Sequence, residues 1–530
     1  MLRVFKFAVL SLTAITVCHA QLAPVTYKLQ NEVKSLAKVS ASGPVSNSIT
    51  DIIVSGDTIW LGTGSGPSLS TDNGETWTNF YGSSTFGTES IAAIAGNNGI
   101  VWASTAHSID KDGSSVSEGS GLHYTMDYGK TWKSVSQPVD GSGDSALVYG
   151  INDGVHLPKV RALPVTVTPQ NLTYDIAFTK NTVWIASFAG GLRKSTDMGA
   201  TWQRVLLPSD NIDSLKPTDT VNFSLQPSSG KFGKENYLNH RVFSVVAAND
   251  STLFVGTAGG INKSTDNGIS WVKYTHTNQT QPISGNFVVA LAFNKVDKTI
   301  WAATWKAEGE TESYGVSYSS DMGATWNVSL EGEQAHNFGF KNYEAIAVTD
   351  NSAFRTQTYG ANWVGINSIV DSKTKISITS KTFYSAGSYG NYVWLGNSDG
   401  LARINEYSMW TGEYKVYFAS QKLSSKNSTY AYPNPFSPRL DILKISYSTG
   451  GSSQNVTIRI LDFGMNLVKT VIQSAQRGNP THVNDAENNN VLDFWNGRDE
   501  KGNIVPNGVY FYRIDVGSND PIYGKVIVIQ

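Results

Sequence analysis

One short pattern recurs along the chain and limits the fold more than any other feature of the sequence. KSTDMGATW at 194–202 has close copies of the form Ser/Thr-x-Asp-x-Gly-x-x-Trp. The other full copies are STDNGETW (70–77), TMDYGKTW (125–132), STDNGISW (264–271) and SSDMGATW (319–326). Two weaker copies follow, TQTYGANW (356–363) and RINEYSMW (403–410). Such self-similarity is typical of repeat folds, in which each unit packs against its neighbours.

Each full copy follows a short apolar run that is typical of a β-strand. The runs are rich in β-branched and aromatic residues. They read TIWLGT (58–63), IVWAST (100–105), TVWIAS (182–187), TLFVGT (252–257), TIWAAT (299–304) and, before the last weak copy, YVWLGN (392–397). The order of apolar runs, turns and copies of the pattern predicts four strands per unit. Seven is the best count of units, although the sixth has no clear upstream run.

The repeated pattern resembles the Asp-box, or BNR, repeat of sialidase-like β-propellers over about residues 45–422. This resemblance implies an all-β fold, a seven-bladed β-propeller. In each box, Asp or Ser is expected to accept hydrogen bonds from the turn, Gly to adopt positive φ, and Trp to wedge beside the next sheet. We therefore interpret the boxes as structural, because fasteners recur in every unit whereas an active site occurs once per domain. The residues concerned are Asp72, Trp77, Asp127, Trp132, Asp197, Trp202, Asp266, Trp271, Asp321 and Trp326.

The first 20 residues have the layout of a secretory signal peptide. Arg3 and Lys6 precede an apolar run, and small residues end at Ala20, where we expect cleavage. The only cysteine, Cys18, lies in this segment, so no disulfide or cysteine-bound metal is expected afterwards. No later apolar run approaches the roughly 20 residues that span a bilayer. We predict a secreted or cell-surface protein with no transmembrane anchor after signal removal.

The net charge and the absence of several known motifs limit the partners and cofactors that the sequence predicts. The formal net charge of -2 provides no field to attract phosphate backbones, so nucleic acid is not expected as a partner. Acidic loops at 110–118 and 485–489 lack the full spacing of a calcium loop. The sequence contains no zinc-protease, phosphate-loop or serine-hydrolase motif. We predict no cofactor and no metal.

Long loops are expected on the face opposite the boxes. In a four-stranded blade, the box turn and the first hairpin turn share one face, and the other connections share the second. We therefore expect the long insertions to lie on that second face, where loops on a rigid scaffold tend to bear function. They are 107–121, 137–170, 206–240, 305–315 and 331–341. Trp305 and Tyr149 are candidate stacking platforms. Arg161 and Arg241 are candidate anion contacts, and His240 is a fifth candidate binding residue.

A sialidase activity is disfavoured by the arginines. The resemblance implies an arginine triad and an Arg-Ile-Pro stretch near the first blade, and this sequence has no Arg-Ile-Pro. Only Arg161 and Arg241 fall on the expected binding face, too few to hold a carboxylate from three sides. Another glycosidase would need two carboxylates about 5 to 9.5 Å apart, which a sequence cannot place. No catalytic residue is predicted.

The last hundred residues form a second predicted domain. YPNPFSP (432–438) is followed by alternating strands and by WNGRDEKGNIVPNGVYFYRI (495–514), a pattern that predicts a small β-sandwich. It resembles the hook-capping type of Ig-like module and the C-terminal sorting domains of type IX secretion. That resemblance implies contact with export machinery. The predicted organisation is a signal peptide (1–20), an N-terminal segment (21–44), a propeller (45–422), a linker (423–431) and an Ig-like domain (432–530).

The leading functional hypothesis is non-catalytic recognition. An extracellular glycan or protein would bind the loop-rich face opposite the boxes. A glycoside hydrolase or lyase that uses loop carboxylates is the alternative from a different class. A purely structural surface or adhesion component is the third.

Overall fold

A computed structural model of the protein describes residues 40–41, 43–150, 159–227, 237–307, 309, 311–373, 377–419, 427, 429–432, 434–439, 442–478, 484–485 and 490–530. The predicted signal peptide and its cleavage site lie outside these residues, as do most of the predicted N-terminal segment and linker. The regular structure of the described residues is all β-strand apart from a 3-10 turn at Leu238–His240.

Within the described residues, seven antiparallel sheets of four consecutive strands follow one another along the chain. We number them sheets 1 to 7 and letter their strands A to D. The A strands are Ile49–Ser55, Ser90–Asn97, Thr173–Thr179, Val242–Ala247, Phe287–Phe293, Ala335–Lys341 and Phe383–Tyr389. The B strands are Thr58–Thr63, Ile100–Lys111, Thr182–Ser187, Leu253–Thr257, Ile300–Trp305, Glu344–Thr349 and Tyr392–Asn397. The C strands are Gly66–Ser70, Ser114–Thr125, Gly191–Ser195, Gly260–Ser264, Gly315–Ser319, Ala353–Thr356 and Gly400–Ser408. The D strands are Trp77–Asn79, Lys133–Val135, Gln203–Arg204, Trp271–Tyr274, Asn327–Ser329, Val364–Gly365 and Thr411–Tyr417.

The sheets close into a ring through their A strands. Each A strand contacts the A strand of the next sheet, and Phe383–Tyr389 of sheet 7 contacts Ile49–Ser55 of sheet 1. Short extra strands add to sheet 1 at Ser40–Ala41 and to sheet 4 at Ser214–Leu215. Two small hairpins, Ala146–Val148 with Lys159–Arg161 and Ile369–Val370 with Ser377–Ile378, lie outside the seven sheets. A closed ring of four-stranded sheets around an axis is a β-propeller.

The turns between strands C and D share one hydrogen-bond pattern in sheets 1 to 5. In sheet 3, Ser195 Oγ donates to Asp197 Oδ1 (2.7 Å) and accepts from the Gly199 N–H (2.8 Å). The Thr201 N–H also donates to Asp197 Oδ1 (2.9 Å). In sheet 2 the equivalent bonds from Thr131 hold the pKa of Asp127 at about 2. The carboxylate of each turn thus accepts hydrogen bonds from residues of its own turn, which gives it a structural role.

The glycine of each of these five turns lies against an aromatic side chain of the preceding sheet. A Cβ on Gly268 of sheet 4 would lie 2.5 Å from Trp184 of sheet 3, and one on Gly74 of sheet 1 would lie 2.4 Å from Trp394 of sheet 7. Gly268 has φ of +80°. Only glycine can adopt this positive φ without strain and also leave room for the aromatic ring. The turn therefore stabilises both the C–D connection of its own sheet and the junction with the preceding sheet.

Sheets 6 and 7 depart from the repeat. In sheet 6, Thr358 Oγ1 replaces the carboxylate and accepts from the Asn362 N–H (2.9 Å). In sheet 7 the residues of the weak seventh copy form no such turn, because strand C continues through Ser408 and Asn405 pairs with Glu413. The sixth upstream strand, Glu344–Thr349, is present although its alanine-rich sequence gave no clear signal.

The C-terminal residues form two packed four-stranded sheets. One contains Tyr430–Tyr432, Leu443–Ser448, Asn490–Trp495 and Asn484–Asp485, and the other contains Leu467–Arg477, Gln454–Leu461, Gly508–Val516 and Ile522–Val528. Alternate residues of the strands, such as Ile445, Ile458 and Ile514, form a fully buried core between them. We call this unit the C-terminal module. Nowhere in the described residues is there an apolar helix of bilayer-spanning length.

Candidate functional site

The two ends of the propeller channel differ in character. Antiparallel order places the C–D turns at the end where strands A finish, and the starts of strands A and ends of strands B at the other. We call this other end the mouth. Each strand A carries a β-bulge close to the mouth. A bulge redirects one side chain out of the regular alternation. The bulged residues Thr50, Ala92, Tyr174, Phe243, Val289, His336 and Tyr384 all line a central cavity of about 520 Å³.

Aromatic side chains form a continuous arc around the mouth. Ring centroids of neighbours along the arc are 4.7 to 6.0 Å apart, within the range of favourable aromatic pairing. The arc crosses sheets 3 to 7, and its members are Tyr174, Phe188, Phe243, Phe287, Trp305, His336 and Tyr384. Phe243, Phe287, Trp305 and His336 are buried and form its base. Tyr174, Phe188 and Tyr384 are half-buried, and Tyr174 and Tyr384 line the cavity.

Two carboxyl groups lie in the wall of the same cavity. Asp175 Oδ1 accepts from the Ile176 N–H (2.7 Å), and its Oδ2 accepts from the Val245 N–H of the next sheet (2.9 Å). Asp51 accepts from the Ile52 N–H (2.9 Å) and also from the Ile94 backbone. Burial raises the pKa of Asp51 to about 7. Burial, together with repulsion from Asp51, raises the pKa of Asp175 to about 8.

These two groups should make the propeller less stable as the pH rises. Unfolded aspartate ionises near pH 4, whereas the folded groups ionise near 7 and 8, so their contribution to stability is complete at pH 4 and is lost between about 4 and 8. We expect a fall of about 7 kcal/mol in the free energy of unfolding between pH 5 and 9, since in this range the folded groups keep their protons over roughly five pH units together, two for Asp51 and three for Asp175, at about 1.4 kcal/mol per unit. Urea titrations across that range should show a flatter profile for Asp51→Asn/Asp175→Asn. The exposed Asp57→Asn is the control, and an unchanged slope in the double variant would contradict the assignment.

Trp305 ends strand B of sheet 5 and Arg241 precedes strand A of sheet 4, so both lie at the mouth, but in unexpected settings. Trp305 is only 7% exposed, and its Nε1–H donates to the Ala335 carbonyl (2.9 Å). It therefore supports the arc from below and offers little face for stacking. The Arg241 guanidinium lies 5.3 Å from the ring centroid of Phe188, and its Nε–H donates to the Pro227 carbonyl (2.7 Å).

Tyr149 and Arg161 are not at the mouth, which corrects the assignment of every long insertion to that face. The Tyr149 hydroxyl donates to the Ile269 carbonyl in the C–D turn of sheet 4 (3.0 Å). Arg161 is exposed on the hairpin strand Lys159–Arg161, which pairs with Ala146–Val148. The reason is hydrophobic: Val160 is buried in one cluster with Leu225 of the next insertion and residues of sheets 3 and 4. Burial of these side chains takes the insertion to the flank of the ring.

His240 is a structural residue rather than a binding residue. It is 1% exposed, its Nδ1 accepts from the Gln226 N–H (3.1 Å), and its Nε2 is 3.1 Å from the Leu207 carbonyl. This arrangement assigns the proton to Nε2. Burial lowers the pKa of His240 to about 4, so the ring is neutral at physiological pH.

Sequence reasoning missed most of the arc. Tyr174, Phe243 and Tyr384 lie within A strands, and a bulge is not visible in an apolar run. A signal was available in their repetition: a polar or aromatic pair, such as Tyr174-Asp175 or His336-Asn337, stands at the same point of several A strands. Among the described residues, no group of three His, Cys, Asp or Glu side chains is arranged to hold a metal ion.

Comparisons with known proteins concern overall shape. Neither the protein-family models nor the curated proteins contain a match. Similar solved structures include YCF48 from Cyanidioschyzon merolae, at 15% identity and TM-score 0.38, covering 67% of this chain and 94% of that one. An ancestral GH74 enzyme gives 13% identity and TM-score 0.49, covering 92% and 63%. PorZ, a surface component of the type IX secretion system of Porphyromonas gingivalis, gives 12% identity and TM-score 0.27, covering 91% and 75%. These values transfer neither an activity nor a partner to this chain.

Proposed function

We propose that this protein is an exported β-propeller that binds an extracellular glycan at the mouth, without chemistry of its own. The observation that carries the proposal is the aromatic arc beside the polar cavity. Half-buried Tyr and Phe rings offer flat apolar faces of the kind that stack against sugar rings. The N-terminal sequence, with its signal-peptide layout, supports an extracellular location.

The cavity also supplies polar groups of the right kind. Binding sites for small molecules combine aromatic walls with a few polar groups that fix orientation. Here Asp51, Asp175 and Asn337 line the cavity together with the arc. The cavity volume of about 520 Å³ lies within the range of such sites and accommodates one or two sugar units rather than a folded partner.

A glycoside hydrolase is the second candidate, and one observation favours it. Asp51 and Asp175 share a cavity and have raised pKa values, which is the condition for a general acid. Their hydrogen bonds argue for a different role. Both accept from backbone N–H groups, and in each case one of these belongs to the next sheet, so both join neighbouring A strands. This joining role is sufficient to explain their positions.

Binding should depend on the exposed rings of the arc. Screening the full chain on a glycan array, followed by calorimetry with the best ligand, should show about tenfold weaker binding for Tyr384→Ala and for Phe188→Ala, since an aromatic contact contributes roughly 1–2 kcal/mol. Tyr128→Ala is the matched control, because Tyr128 is 59% exposed on the C–D turn of sheet 2, at the opposite end. Equal losses in all three variants, or an array without any binding, would contradict the proposal.

The hydrolase candidate is separated by a second assay. Chromogenic glycosides should remain uncleaved by the wild-type chain if the protein only binds. Cleavage that disappears in Asp175→Asn while binding persists would assign catalysis to the cavity and overturn the non-catalytic proposal.

A further inference from the structure

A lysine of the C-terminal module is buried where its strand should face solvent. Leu443, Ile445 and Tyr447 alternate along strand Leu443–Ser448 and are all 0% exposed in the core of the module. The period of two places Lys444 on the opposite, outer face of that sheet. Lys444 is nevertheless only 1% exposed. Something must cover this outer face and neutralise the charge, because a buried lysine without a partner is very unfavourable.

The cover is sheet 7 of the propeller. Lys444 Nζ forms an ion pair with Asp399, which lies in the turn between strands B and C of sheet 7, and both side chains are at most 3% exposed. The ammonium also lies 4.5 Å from the ring centroid of Phe418, just after the last strand of sheet 7, and 5.7 Å from that of Tyr432 in the module. One charge is thus enclosed by a carboxylate and two aromatic faces, contributed by both units.

Apolar side chains extend this contact. Leu492 and Phe494, which alternate on the same outer face as Lys444, pack into one cluster with residues of sheet 7 and of the hairpin before it. Leu492 is only 7% exposed. The propeller residues that they join include Ile369, Ile378, Phe383 and Phe418. An outer sheet face that buries both apolar side chains and a lysine is an interface, not a solvent face.

We propose that the C-terminal module is a fixed brace of sheet 7 rather than a tethered appendage. Sheet 7 lacks the C–D turn bonds that stabilise sheets 1 to 5, and the module supplies buried contacts to that same sheet. Phe383, which packs in the shared cluster, precedes Tyr384 of the aromatic arc. Release of the module would leave Asp399 without its cation and uncover Phe418, so the propeller and the module should unfold together.

Hydrogen exchange of the full chain tests the brace from both sides. In Lys444→Ala, amide exchange should rise at least tenfold in Leu443–Ser448 of the module and also in Tyr392–Asn397 of sheet 7. The single calorimetric transition expected for the wild type should divide into two. Lys444→Arg, which retains the charge, should remain close to the wild type.

The matched control is Lys469→Ala. Lys469 also belongs to the module and pairs with Glu500 at 3.1 Å, but the two side chains are 30% and 50% exposed. This variant should leave both segments protected. The proposal is overturned if the wild type shows two independent transitions, if Lys444→Ala affects the module alone, or if Lys469→Ala gives the same result. If Lys444→Ala does not fold, the double variant Lys444→Met/Asp399→Asn replaces it, because it removes both charges. Its amide exchange in the two segments should then lie between that of Lys444→Arg and that of the separated module. Exchange as slow as in the wild type would overturn the role of the Lys444–Asp399 ion pair.

Discussion

Gly268→Ala is expected to destabilise the propeller by about 2–5 kcal/mol. The new Cβ would lie 2.5 Å from Cη2 of Trp184 in the preceding sheet, well inside van der Waals contact. Overpacking costs typically about 1–3 kcal/mol. The φ of +80° adds roughly another 1–2 kcal/mol for a residue with a Cβ.

The strain cannot be relieved by a simple movement of the indole. Trp184 is fully buried, and its Nε1–H donates to Thr179 Oγ1 (2.9 Å). Thr179 Oγ1 in turn donates to Asn267 Oδ1 (2.8 Å), in the residue next to Gly268. The indole is therefore held by the same turn that the methyl group would push away. A rotation of Trp184 would break the hydrogen bond from its Nε1–H to Thr179.

Gly99→Ala separates the two costs. Gly99 has φ of +82° but no atom within 4 Å of a built Cβ, so it carries the backbone cost without the contact. It should lose only about 1–2 kcal/mol. Urea unfolding followed by tryptophan fluorescence measures both variants. Equal losses would mean that the contact between turn and indole does not stabilise the junction between sheets 3 and 4.

The fold was largely accessible from the sequence because its signals are local. The box turn needs Asp, Gly and Trp at fixed spacing, and the upstream strand needs an apolar run. Each four-stranded unit can therefore be recognised from its own residues. These sequence patterns did not identify the units in which other residue types form the upstream strand or the C–D turn. Glu344–Thr349, with the sequence EAIAVT, is a strand without the aromatic residue of the other upstream runs. Most of the weak seventh copy lies in the strand Gly400–Ser408, in which Asn405 pairs across a hairpin with Glu413.

The candidate site was much less accessible, because it depends on where side chains point. Trp305 and Arg241 lie at the mouth, but their contacts there do not follow from the sequence pattern. The burial of Trp305 and His240, and the course of the insertion that carries Tyr149, depend on contacts between distant segments. Lys444 shows the same limit: its position in the strand period predicts a solvent-facing side chain, and only the docked sheet 7 explains its burial.

Glu406→Gln is expected to cost about 3–5 kcal/mol, since it breaks a buried ion pair by removing one charge. Arg355 Nη1 of sheet 6 donates to both carboxylate oxygens of Glu406 in sheet 7, at 2.7 and 2.9 Å. Lys341 Nζ donates to Glu406 Oε2 (2.6 Å), and both the Arg355 and Glu406 side chains are 2% exposed. Loss of the carboxylate charge would leave Arg355 with Glu344 as its remaining acidic partner and would remove the acidic partner of Lys341.

This network lies where the repeat is weakest, which is why its loss should be severe. Sheets 6 and 7 lack the turn carboxylates of the other sheets, and the Arg355–Glu406 pair joins their C strands instead. Glu75→Gln is the matched control, because Glu75 also binds two cations, Arg403 at 3.0 Å and Lys415 at 2.9 Å, yet is 58% exposed. It should lose at most about 1 kcal/mol, and less in high salt. Thermal or urea unfolding that ranks the two variants equally would show that burial does not decide the strength of this junction.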